Sequence, residues 1–496
     1  MVESYLEREL KFDVPAGFVL PDLTAIGKPV SRTDTRVHQL RSEYYDTADH
    51  ALRQALITLR RRTGDTDSGW QLKVPHAPAR EELRAPLAGT ELTGGPLAGT
   101  ELTGAPSSGP EAVPAELDRL LLGARRGQPV RPVAVLSTER TVTRLLDADG
   151  RQLAEVADDS VRATAAGSAA TASSWREVEV ELGSGDEALL QEIAELLRSH
   201  GAEPSASSSK LSRALSAAAQ PAPSGPLRDY LVEQQRALVA GDLALRRNDP
   251  TVIHKTRVAT RRFRSTLRSF GKLLDQPSRQ RLDEELRWYA ALLGAVRDRQ
   301  VQQARLLAKL DELDDTLVLG PVRARIKQEL TGEQAEHWAE LQQALDGERY
   351  LHLLTGLDEF IQSLPAKTSA KQLRRLMRKA AGKATARLSG AARSEDPELL
   401  HRARKAAKRA RYAGELLQPL GGQQAVEQAE RNESLQDLLG EHQDSLVSAE
   451  LLRRLGGIAG TTPGENGFTF GLLYQRQLQQ AAELRAQAAE LADKDG

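Results

Sequence analysis

The stretch Glu7-Arg8-Glu9-Leu10-Lys11 limits what this chain can fold into more sharply than any other. In a β-strand, side chains alternate between faces, so Glu7, Glu9 and Lys11 project to one side and Arg8, Leu10 and Phe12 to the other. The same pattern returns at Glu177-Val178-Glu179-Val180-Glu181, with three carboxylates on one face and Val178, Val180 and Leu182 opposite. Apolar residues turned outward to a protein layer and acids turned toward one another describe a sheet closed around a polar interior. Carboxylate rows of this kind hold hard divalent cations through oxygen ligands, because unpaired acids would repel one another and take up protons.

The segments between these two rows carry the opposite charge. In Ala55-Leu56-Ile57-Thr58-Leu59-Arg60-Arg61-Arg62, the residues Thr58, Arg60 and Arg62 share a face. Trp70 to Pro75 presents Gln71 and Lys73 together, Arg80 to Arg84 alternates in charge, and Arg140 follows Val133 to Leu136. About eight strands thus place Glu and Asp on some walls and Arg and Lys on others. Such a lumen either neutralises itself with salt bridges or binds a ligand that bridges the two signs. A triphosphate with its divalent cations is such a ligand, with acids on the metal and bases on non-bridging oxygens.

Between these strands, Pro86 to Gly104 contains Pro-Leu-Ala-Gly-Thr-Glu-Leu-Thr-Gly twice, which predicts a disordered, dispensable surface loop. Ala163 to Ser174 reads as a small-residue loop, and Asp186 to His200 as an amphipathic helix. The chain has no cysteine, which excludes disulfides and thiolate sites, and Lys+Arg 68 against Asp+Glu 69 leaves a net charge of -1. With no secretory signal and no apolar run of about 18 residues, the expectation is a cytoplasmic protein that touches no membrane.

The residues Glu7, Glu9 and Lys11, Tyr44-Tyr45-Asp46-Thr47, Leu59 to Arg62, Leu72 to Pro75, the Glu177/Glu179/Glu181 row and Ser209-Lys210 with Arg213 resemble the CYTH, or triphosphate tunnel metalloenzyme, family. The resemblance covers about the first 215 residues. It implies an eight-stranded antiparallel β-tunnel that binds a triphosphate and divalent cations, Mg2+ or Mn2+. Carried over, Glu7, Glu9, Glu177, Glu179 and Glu181 would serve the metals. Arg60, Arg62, Lys73, Arg80, Arg140, Lys210 and Arg213 would hold phosphate, and Lys11, with Glu9, would stand beside the attacked phosphorus.

Ala214 to Pro226 is Ala, Ser and Pro, a linker by composition. Beyond it the composition is helical and the sequence repeats itself. Asp249-Pro250-x3-His254-x2-Arg257 returns as Asp396-Pro397-x3-His401-x2-Arg404, and Leu292-Leu293-Gly294 with Asp298 returns as Leu438-Leu439-Gly440 with Asp444, at separations of 147, 146 and 146 residues. Each Asp-Pro pair predicts a helix start, with the Asp as N-cap and the Pro in the first turn. Each helix so begun is basic and free of acids. His254, Arg257, Arg261, Arg264 and Arg268 recur at helical spacing, as do His401, Arg404, Lys405, Lys408 and Arg411. Like charges stacked in this way call for a polyanion. Aromatics make up only 4% of the chain, so stacking platforms for nucleic acid are scarce and a phosphate partner without bases is favoured.

His254 to Arg264, and His401 to Tyr412 followed by Gly440-Glu441-His442-Gln443-Asp444, resemble the CHAD domain. That resemblance implies an all-α duplicated helical bundle that binds inorganic polyphosphate on its basic helices. The expected organisation is α+β: a tunnel domain over 1–215, a linker over 216–226 and a helical domain over 227–496. The expected activity is hydrolysis of inorganic triphosphate or short polyphosphate. A class IV-type adenylate cyclase and a non-catalytic polyphosphate adaptor are the alternatives.

Overall fold

The alternating N-terminal stretch folds as strand and is broken once, at Arg8, into β1 (Glu3–Glu7) and β2 (Glu9–Val14). The elements are those of a computed structural model that describes residues 3–26, 29–65, 68–76, 79–87, 112–166, 171–207, 209–216, 224–365, 368–392, 394, 396–420 and 423–494. The chain divides into two units, Met1–Pro221 and Ala222–Gly496.

In the first unit β3 (Arg32–Asp46), β4 (Thr58–Thr63), β5 (Gly69–His76), β6 (Ala79–Ala85), β7 (Arg131–Leu146), β8 (Gln152–Ala165), β9 (Thr171–Leu182) and the two-residue β10 (Glu203–Pro204) join β1 and β2 in one sheet. Its order is β1-β6-β5-β4-β3-β7-β8-β9-β2-β10, antiparallel at every step. β1 pairs with β6 at one edge and β2 with β9 at the other, with one residue between them. The N-terminal segment therefore stitches the two edges together, and with β1 and β2 counted as one strand and β10 set aside this is the expected eight-stranded tunnel.

Alternation decides which side chains face the lumen. On β9, Val178 and Val180 are fully buried beneath α3 (Glu187–Ser199), where they join Leu189, Ile193 and Leu197, while the glutamates between them face inward. α3 is the amphipathic helix expected from the sequence, and its N-cap Asp186 accepts the Leu189 N–H at 2.9 Å. Leu211, Ala214 and Leu215 of α4 (Lys210–Ser216) pack on Leu136, Val161, Ala163 and Ala165 of β7 and β8. This corrects part of one expectation: of Ala163 to Ser174, residues 163–165 and 171–174 are strand, with Ala163 and Ala165 giving α4 room to approach, and 167–170 lie outside the described residues. Two short helices, α1 (Ala51–Gln54) and α2 (Ala115–Leu121), complete this unit. The expected duplicated loop falls almost wholly at 88–111, and the middle of the expected linker at 217–223, outside the described residues.

The second unit is helical throughout. It runs α5 (Pro226–Arg246), α6 (Ile253–Ser269), α7 (Gln276–Asp311), α8 (Val322–Leu345), α9 (Glu348–Gln362), α10 (Ala370–Ala392), α11 (Pro397–Leu417), α12 (Gln423–Ala459) and α13 (Phe468–Lys494). Asp396 caps α11 through the Glu398 N–H, whereas Asp249 caps a 3-10 turn, Pro250–Val252, that leads into α6. α6 and α11, which carry the repeated motifs, pack against each other. Phe263, Phe270 and Tyr412 are core residues, exposed by 0%, 0% and 2%, and so offer no stacking surface. Among the described residues no helix is long and apolar enough to cross a membrane.

Candidate functional site

The lumen of the first unit is a cavity of about 80 Å³ that gathers charge from every wall. Glu9 and Lys11 come from β2, Arg60 and Arg62 from β4, Lys73 from β5, Arg80 and Glu82 from β6, Arg140 from β7, Glu155 from β8, Glu179 and Glu181 from β9, and Lys210 from α4. Most of the residues expected here from the sequence therefore meet. The Glu7 side chain lies outside the described residues; its backbone pairs with Arg80. Arg213 does not line the cavity, because it is held by Asp13 and lies over the Trp175 ring at 5.1 Å.

The carboxylates that converge include two of the five expected glutamates, Glu177 and Glu179, together with Asp159. Among the described residues, Asp159, Glu177 and Glu179 bring one oxygen each within 4.8 Å of one another, and Glu9 and Glu181 line the cavity outside that trio. Asp159 is not among the carboxylates expected from the sequence. Its signal was the alternation Glu155, Ala157, Asp159 along β8. The Lys210 ammonium sits within the trio, 2.9 Å from Asp159, 2.6 Å from Glu177 and 2.8 Å from Glu179. Arg140 forks onto Asp159 at 2.8 and 2.6 Å and reaches Glu179 at 2.8 Å. Lys11 joins Glu9 at 2.9 Å and also contacts Glu179.

These contacts set the protonation states. Burial alone would raise the Glu179 carboxyl, but Lys11, Lys210 and Arg140 hold it well below the usual range. Asp159 and Glu9 are lowered in the same way, Asp159 by Arg140 and Lys210, Glu9 by Lys11 and Lys73. Glu181 is raised by burial and by its acidic neighbours Glu155, Glu9 and Glu82, against Lys73.

On the opposite wall the buried Glu82 is taken by Lys73 at 3.1 Å and by Arg84. Arg60 spends its donors on Gln71 at 2.6 Å and the Tyr44 hydroxyl at 3.2 Å. Arg62 is 6% exposed, and among the described residues its Nε has no hydrogen-bond partner and its one carboxylate, Asp65, is 3.6 Å away. Burial, Arg60 and Arg140 bring this guanidinium down to about 10.

In the second unit the two copies of the repeat converge. Burial, then Arg404, Arg261 and Arg257, push the Lys408 ammonium down to about 7, so cations from α6 and α11 share one place. Arg257 is held by Asp298 at 2.9 Å. Gly294 and Gly440 make space for the arginines: a Cβ on Gly440 would lie 3.3 Å from Arg404 Nη2. Arg261 Nε, Arg404 Nε and His401 Nδ1 are buried without partners. His254 and His401 are both lowered by burial and neighbouring cations, and Lys405 is exposed. Other expected members of the two faces are tied up by acids, as Arg257 is, and Arg268 among them is taken by Asp283 at 2.7 Å. Arg264 is held by Asp283 at 3.1 Å, and Arg411 by Glu415 and Glu433 at 3.0 and 2.8 Å.

Residues 6–215 match the model of the CYTH domain and residues 229–453 that of the CHAD domain. The chain thus belongs to the proteins in which a CYTH domain, the domain of the triphosphate-tunnel enzymes, is followed by a CHAD domain. The protein MT2285 of Mycobacterium tuberculosis (strain CDC 1551 / Oshkosh) is 36% identical over 516 residues, covering 97% of this chain and 95% of its own. Among solved structures, PptA from Streptomyces chartreusis is 22% identical with a TM-score of 0.46, over 54% of this chain and 98% of its own. The CHAD domain from the plant Ricinus communis is 26% identical with a TM-score of 0.42, over 54% and 92%.

Proposed function

We propose that the tunnel hydrolyses inorganic triphosphate or a short polyphosphate with Mg2+ or Mn2+, and that the helical unit binds inorganic polyphosphate. The observation that carries the first part is Arg62. A lumen built only to neutralise itself would not bury a guanidinium under the influence of Arg60 and Arg140 with the nearest acid among the described residues at 3.6 Å. A bound anion supplies the missing charge.

The residues present suit a hard divalent ion. Asp159, Glu177 and Glu179 form an all-oxygen donor set, and Lys210 already places a cation among them. Such an ion would offset phosphate charge and lower the pKa of a bound water. The remaining work falls to the protein's own groups. Arg60, Arg62, Lys73 and Arg80 bind non-bridging oxygens and align the chain, which is most of what phosphoryl transfer requires. Lys11, steadied by Glu9 and Glu179, hydrogen-bonds the attacked phosphoryl group. On the helical unit, the unpartnered nitrogens of Arg261, Arg404 and His401 support a phosphate chain lying across α6 and α11.

The test is phosphate release from inorganic triphosphate with Mg2+ or Mn2+, with ATP in parallel, for wild type and Glu179→Gln. Metal-dependent release that falls by about 10²-fold or more in the variant is expected. No release from either substrate would sink the hydrolase reading. Cyclic AMP from ATP would then point to a cyclase, and polyphosphate binding without turnover to an adaptor.

A further inference from the structure

α6 and α11 carry copies of one motif offset by 147 residues and pack on each other, so each position on one helix has an equivalent on the other. At one such place Arg262 of α6 donates to Glu415 of α11 at 2.8 Å, and Glu415 also takes Arg411 at 3.0 Å and the Tyr230 hydroxyl at 3.3 Å. That place is closed and neutral. The counterpart of Arg262 is Arg409, and the counterpart of Glu415 is Arg268. An acid in one half is a base in the other.

At the second place the ion pair is replaced by a cavity of about 210 Å³. Arg268 and Arg409 meet there, and the exposed Lys272, Lys379 and Lys383 stand round it. Leu376, Ala380 and Ala406 provide an apolar lining, and no carboxylate among the described residues borders it. Asp283 is engaged by Arg268 at 2.7 Å and Arg264 at 3.1 Å, and Arg409 Nε donates to the Lys405 carbonyl oxygen at 3.1 Å. The cations feel one another. Arg387 first, then burial, Arg409 and Lys379 lower Lys383, and burial with Arg268 and Arg387 lowers Arg409. Of the basic face of α6 only Arg268 lines this pocket; Arg261, Arg404 and His401, proposed above for polyphosphate, do not.

We propose that the pocket binds a nucleotide, with the phosphates of a nucleoside triphosphate on Arg268, Arg409, Lys379 and Lys383 and its base against Leu376, Ala380 and Ala406. An inorganic phosphate chain would use the cations and leave the apolar lining bare, whereas a nucleotide satisfies both. The site is independent of the tunnel and its chemistry.

The test uses the full chain and a photoreactive azido-ATP, with the labelled peptides mapped by mass spectrometry. Labelling of residues 370–392 and 397–417 is expected, displaced by ATP at a concentration about tenfold lower than inorganic triphosphate requires. Arg268→Glu installs the acid that the other half carries beside Arg409, but it also takes from Asp283 its partner, so it is expected to abolish this labelling and to lower the melting temperature. If that variant does not fold, Lys379→Ala/Lys383→Ala on exposed positions serves instead, with at least a tenfold loss expected. Labelling of these helices that survives in the folded variant, that is displaced equally by inorganic triphosphate, or that never occurs overturns the proposal.

Discussion

Lys210 reaches from the first turn of α4 to within 2.9 Å of all three acids of the trio, so an ammonium holds the position that suits a divalent ion. Its loss leaves Asp159, Glu177 and Glu179 to Arg140, Lys11 and the more distant Arg213. Removing one partner from a buried ionic cluster costs about 3–5 kcal/mol. We expect Lys210→Met to melt at lower temperature than wild type without metal, and Mn2+ to raise its melting temperature more than it raises that of wild type. At Lys408 the sign is reversed. Its folded value of about 7 lies below the ordinary 10.5, so the folded unit binds fewer protons than the unfolded chain between those limits and gains stability as pH rises across them. Polyphosphate would restore the charge. Its binding is expected to weaken as pH rises through about 7 and to take up protons, which calorimetry in buffers of different ionisation heat would register; Lys408→Gln should remove most of both effects. The glutamate row and the basic strand faces were legible because β-alternation is local. The convergence of Asp159 with Glu177, and the diversion of Arg213, Arg264 and Arg411 onto acids, depended on which strands and helices became neighbours.

Helix and strand identities followed from pattern at the scale of single elements, and the repeat exposed the duplication before any helix was placed. What pattern could not supply was how near two elements approach. Gly241 on α5 shows why: a Cβ there would lie 2.2 Å from Thr256 Oγ1 on α6. Gly241→Ala is therefore expected to cost about 1–3 kcal/mol in urea unfolding, although alanine is the better helix former. The start of the segment 163–174 differs from expectation for the same reason. Its small side chains suggested a loop, yet Ala163 and Ala165 on β8 are what a strand needs where α4 lies close above it.

For the whole molecule, the decisive arrangement is the seam at Arg8. Deleting residues 1–8 would remove β1 and leave β6 as an open edge, so the shortened protein is expected to self-associate in size-exclusion chromatography at concentrations where the intact chain does not. The seam also bears on how this protein is made. Lys11 and its contact Glu179 are 168 residues apart in the chain, so β2 is synthesised long before its partner β9. A strand that must wait in this way gives the tunnel a high contact order and slow closure. The growing chain carries an unpaired strand until β9 appears, and the N-terminal segment is then both the oldest part of the nascent domain and among the last to be secured.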